Sequence, residues 1–98
     1  MSKNYTSILP VIHSNGTSAK ELYRDYRAAM TACVAAITAL QQVEFNGRDY
    51  YPLGDNAFTL AREQREQIMA GLRAAFEYSL AHAEQAQRAM KASDLNEV

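Results

Sequence analysis

The sequence has no tryptophan, one cysteine, two prolines and four glycines among its 98 residues. With Cys33 alone, no intrachain disulfide can substitute for a core. A formal net charge of −1 gives no global electrostatic attraction to nucleic acid. Long hydrophobic runs are also missing. The uncharged stretch Ala28 to Val43 carries Thr31, Thr38, Gln41 and Gln42 and is too short to span a membrane. Met1 to Thr6 has no apolar signal core. These absences predict a soluble intracellular chain of at most one domain.

What is present favours helix. Alanine is abundant, and β-branched residues are sparse after Val43. Residues 1–17 are mixed, and Ile8 to Ile12 predict an extended arm packed on a helical surface. Pro10 within them argues against helix. Ser18-Ala19-Lys20-Glu21 fits a capping box and opens a helix over about 18–44. Leu22, Tyr26, Ala29, Cys33, Ala36 and Leu40 then recur at alternating spacings of three and four, with Tyr23, Met30, Val34 and Ile37 widening the stripe. Asn46-Gly47 is expected to stop this helix.

A loop over 45–55 separates it from a second helix over about 56–92, with Asp55 or Asn56 as N-cap. The expected apolar positions of the second helix are Phe58, Ala61, Ile68, Leu72, Ala75, Ser79, Ala83, Ala86 and Met90, flanked by Met69, Phe76 and Leu80. Arg65 interrupts that stripe. Gly71 weakens it, unless a neighbouring helix approaches closely there. Residues 93–98 are read as a frayed tail. The fold class is therefore all-α: an antiparallel two-helix hairpin with an N-terminal extended arm. Such a hairpin buries one face of each helix, so the chain is expected to assemble into a homo-oligomeric helical bundle.

Two non-helical stretches carry candidate chemistry. His13, Ser14, Asn15, Gly16, Thr17 and Ser18 precede the first helix, whose leading amides are unpaired donors with partial positive charge. Lys20 follows on the first turn. Anion binding would use these groups, whereas plain capping needs only Ser18 and Glu21; both readings fit. In the loop, Arg48 can fork onto a phosphate or carboxylate, and Asp49 can accept from a hydroxyl or amine. Tyr50 and Tyr51 offer ring faces for a base. The alternative makes Arg48 and Asp49 a surface pair and the tyrosines a plug for the end of the bundle.

Enzyme signatures are missing. His13 and His82 show no metal-ligand spacing, and no phosphate-binding glycine loop is present. Glu63, Glu66, Glu77 and Glu84 alternate with Arg62, Arg65 and Arg73 as on a solvated helix face. Neither a metal nor a cofactor is called for, although His13 as an acid or base for a bound ligand stays open. The two stretches sit at opposite ends of a rod of roughly 40 Å. A joint site therefore needs an antiparallel neighbour.

Ile12-His13-Ser14-Asn15-Gly16-Thr17-Ser18, then an alanine-rich helix, then Asn46-Gly47-Arg48-Asp49-Tyr50-Tyr51-Pro52 with Gly54, resembles a group of short bacteriophage-encoded helical-hairpin proteins. In size and style these are similar to phage anti-defence "sponges" of the anti-Thoeris and anti-CBASS type. The resemblance rests on about a fifth of the chain. It implies a non-enzymatic protein that sequesters a nucleotide-derived immune signal, of the cyclic ADP-ribose type or a cyclic dinucleotide, in the cytoplasm of an infected bacterium. The implied partners are that small molecule and further copies of the chain, with no nucleic acid and no membrane. A helical adaptor or virion accessory without a small-molecule ligand is the alternative.

Overall fold

The computed structural model describes residues 8–13 and 15–90. Residues 1–7 of the expected arm, Ser14 and the expected tail over 93–98 lie outside the described residues. Helix α1 runs Ala19–Gln41 and helix α2 runs Ala57–Ala89, joined through two single-turn 3-10 helices, Gly47–Asp49 and Tyr51–Leu53. Among the described residues there is no strand. The helices are antiparallel: Tyr23 packs with Ala83 and Ala86, Tyr26 with His82, and Leu40 with Arg65. The hairpin is elongated, at 60 × 26 × 16 Å.

Local chemistry sets the ends of α1. Ser18 caps its start, with Oγ accepting from the Glu21 amide at 3.1 Å. The helix stops at Gln41, short of both Glu44 and Gly47. A contact between the helices, rather than the glycine, ends it. Arg65 on α2 donates from Nη2 to the Leu40 carbonyl at 2.9 Å, and the Val43 amide closes a tighter turn onto the same oxygen at 3.2 Å. Phe45 is thereby turned back toward α2, where Arg65 lies 5.1 Å from its ring centre.

Asn56 holds the cap position of α2 but makes no side-chain cap bond. Instead the Ala57 amide donates to the Gly54 carbonyl at 3.3 Å. Gly54 reaches the conformation this requires with φ of 118°, which a residue with a Cβ rarely adopts.

Leu22, Tyr26, Ala29, Cys33, Ala36 and Leu40 of the expected α1 stripe are half-buried and the flanking Tyr23 is buried, but the flanking Val34 is exposed. On α2 the expected stripe slips by one residue at two places. Ile68 and Ala75 are exposed, while Met69 is buried and Phe76 half-buried. The seam runs Phe58, Ala61, Arg65, Met69, Leu72, Phe76, Ser79, Ala83, Ala86, Met90, stepping by threes and fours. Arg65 does not interrupt it; Arg65 is a member, tolerated because the Leu40 carbonyl and the Phe45 ring receive its charge.

The core is small. Tyr23, Ala83, Ala86 and Met90 form its buried cluster, with Ile12, Ala19, Leu22, Tyr26 and Met30 against it. Ser79 is buried with them, its hydroxyl donating back to the Ala75 carbonyl at 2.9 Å. Among the described residues no large side chain is fully buried, whereas Val34, Val43, Leu53, Leu60 and Ile68 are all exposed.

Candidate functional site

The two candidate stretches occupy opposite ends of the hairpin. At the start of α1 the Gly16 amide donates to the His13 carbonyl at 3.1 Å, forming a turn. The His13 ring folds over Gly16, so closely that a Cβ there would lie 3.1 Å from Nε2. His13, Asn15, Gly16, Thr17 and Ser18 are exposed and Lys20 is half-buried. The Ser18 hydroxyl already satisfies one leading amide of the helix.

At the other end the loop divides its tyrosines between two roles. Tyr50 is half-buried in an aromatic group, 5.7 Å from the Phe45 ring and 5.9 Å from Phe58. Phe45 and Phe58 are themselves 5.2 Å apart. Arg62 covers the outer side of Phe58, 5.2 Å from its centre. Tyr50 thus packs the loop onto the first turns of α2, as a plug does. Tyr51 is different: its ring lies beside Gly47, yet the residue is 73% exposed. Arg48 and Asp49 are exposed as well, and among the described residues no ion pair joins them. Arg48, Asp49 and Tyr51 therefore offer a guanidinium fork, a carboxylate and a ring face at one tip.

The 23 residues of α1 place about 35 Å between this tip and the His13–Ser18 turn. One chain does not bring the two stretches together. A ligand touching both would have to lie between chains.

A third group of residues was not singled out from sequence. His82 is 3% exposed and packs against both Tyr26 and Tyr78, with ring centres at 4.6 Å and 4.2 Å and the two tyrosines 6.2 Å apart. Its Nδ1 lies 2.8 Å from the Tyr78 carbonyl oxygen. That oxygen can only accept, so Nδ1 carries the proton. The i, i+4 spacing of Tyr78 and His82 was a usable signal, but Tyr26 joins only once the register is known. Burial, and then the neighbouring Tyr78 hydroxyl, hold the Tyr26 phenol above its ordinary 10.0. A phenol whose folded pKa is raised stabilises the fold fully below the unfolded value, and that stability is lost as pH rises through the folded one. The contribution of Tyr26 to stability is therefore expected to fall away above pH 10.0. In an ultraviolet tyrosinate titration Tyr26 should ionise late, and Tyr26→Phe should remove that late step.

Among the described residues no group of three or more His, Cys, Asp or Glu side chains is placed to hold a metal ion. Cys33 is half-buried on the α1 seam. No described helix is long and apolar enough to cross a membrane. No protein-family model matches the chain, and neither a curated protein nor a solved structure matches it.

Proposed function

We propose that this chain is one protomer of a homo-oligomer that binds a nucleotide-derived signal at sites between subunits and sequesters it without cleaving it. The observation that carries this reading is the split placement of ligand-type chemistry. Arg48, Asp49 and Tyr51 are exposed at one tip, and the His13–Ser18 turn is about 35 Å away at the other. An antiparallel neighbour sets one tip beside the other, so a two-fold pair would own two equal sites. In each, Arg48 and the leading amides of α1 hold phosphate, and Tyr51 stacks on a base. Tyr50 leaves the contact set, because Phe45 and Phe58 already engage its ring.

The N-terminal arm belongs to the same reading. Gln85 donates to the Pro10 carbonyl at 2.6 Å and Ile12 packs against the core cluster, which leaves Ile8 and Val11 exposed for a neighbouring chain to cover. The resemblance to phage sponges points to the cyclic ADP-ribose and cyclic dinucleotide classes and to the cytoplasm of an infected bacterium.

Calorimetry with both ligand classes tests the proposal. Stoichiometric binding is expected, and Arg48→Ala should weaken it by roughly 10- to 100-fold, the worth of one charged hydrogen bond. No heat with any of these ligands would overturn it. Ligand recovered intact after denaturation separates a sponge from a hydrolase that uses His13.

Exposed Leu60 and Ile68 favour a second reading, a helical adaptor that docks a protein partner. Pull-down distinguishes the two, because an adaptor retains protein and a sponge retains small molecules.

A further inference from the structure

Gly71 lies in the interior of α2, where glycine is the poorest helix former after proline. Nothing in the hairpin uses its missing side chain. A Cβ built there meets no atom within 4 Å, and the residue is exposed. Close approach by α1 therefore does not account for it.

The residues that share its strip of the helix surface are Leu60, Gln64, Ile68, Ala75 and Tyr78, stepping by threes and fours. None is charged. Leu60 is 62% and Ile68 55% exposed. The charged residues of α2, among them Arg62, Glu66, Arg73 and Glu77, all fall outside the strip. On α1, too, the stretch from Ala28 to Val43 is free of charge.

We propose that this strip is the seat of a second copy of the same chain, whose α2 crosses antiparallel at Gly71 about a two-fold axis. The inference rests on the self-association put forward above and locates it. Two observations select a second copy as the occupant. The first is shape. An axis beside Gly71 and Leu72 sets the large Ile68 of each chain over the small Ala75 of the other, while the absent Cβ lets the helices come close. The second is area. The chain exposes 7291 Å², against roughly 5,600 Å² for a compact monomer of 10.9 kDa. The difference, about 1,700 Å², is twice what one partner contributes to a standard interface. A membrane surface fits poorly, since the strip carries no basic residue.

Sedimentation equilibrium on the full-length protein tests this, with circular dichroism as the control for folding. On a solvent-facing helix Gly71→Ala would be neutral or beneficial. Here it should weaken self-association several-fold. Gly71→Leu and Ile68→Asp should weaken it at least tenfold with helix content kept. A positive measurement accompanies these: in a Cys33→Ala background, Gly71→Cys should form an intermolecular disulfide on mild oxidation and Glu63→Cys should not. If the wild type associates but none of these changes matters and Gly71→Cys does not cross-link, the strip is not the interface, and self-association stands without it. A wild type that is monomeric at high concentration overturns both.

Discussion

Arg65→Ala is expected to destabilise the protein by about 2 kcal/mol, because it removes two contacts at once. The guanidinium donates to the Leu40 carbonyl at 2.9 Å and covers the Phe45 ring at 5.1 Å. Without it, the Leu40 carbonyl keeps only the Val43 amide and the aromatic group loses a wall. For a domain of this size that loss corresponds to a fall in melting temperature of roughly 10 °C. Urea denaturation checks it, with wild type and variant at one protomer concentration, since association also shifts apparent stability. Arg65→Met separates the contributions. It keeps the aliphatic stem and loses the donor, so it should recover part of the packing and none of the hydrogen bond. Equal stability of Arg65→Ala and wild type would mean that the α1 end is held by other means.

Ala86→Leu should be comparably damaging for the opposite reason. Ala86 is 0% exposed and lies in the buried cluster, with Tyr23, Ala83 and Met90 around it. The small residues of α2 set how closely α1 approaches there, and a leucine must force Tyr23 or Ile12 aside. Overpacking of this kind costs about 1–3 kcal/mol. Ala89→Leu, three residues along the helix and exposed, supplies the control and should change stability by no more than about 0.5 kcal/mol. Thermal melts of the pair decide it. If both variants behave alike, the Tyr23–Ala86 contact does not set the helix spacing.

Both predictions turn on residues whose type was plain in the sequence but whose place was not. The α1 stripe was legible because Leu22, Tyr26, Ala29, Cys33, Ala36 and Leu40 keep one helical period without exception. On α2 adjacent apolar residues compete for the same position. Ile68 beside Met69 and Ala75 beside Phe76 give a period that fits either way, and only packing against α1 selects Met69 and Phe76. Arg65 looked like a fault because a charge on a seam is costly unless it is received, and its receivers, Leu40 and Phe45, lie twenty or more residues earlier. The same distance concealed the true end of α1. Asn46-Gly47 is a genuine turn signal, but Arg65 terminates the helix several residues before it.

The candidate stretches were recognisable as non-helical and chemically rich. What sequence did not separate was Tyr50 from Tyr51. Adjacent residues point in different directions, and the partners that claim Tyr50, Phe45 and Phe58, declare themselves only when the loop folds back. His82 escaped for a similar reason. Burial against Tyr26 and Tyr78 depends on the pairing of the two helices, which no local pattern encodes.

The most direct measurement is the native mass of the full-length protein mixed with cyclic ADP-ribose or a cyclic dinucleotide. An inter-subunit sponge gives an even multiple of the 10.9 kDa protomer, carrying as many intact ligands as there are subunits. A bare 10.9 kDa species at every concentration would refute both the shared site and the assembly that creates it.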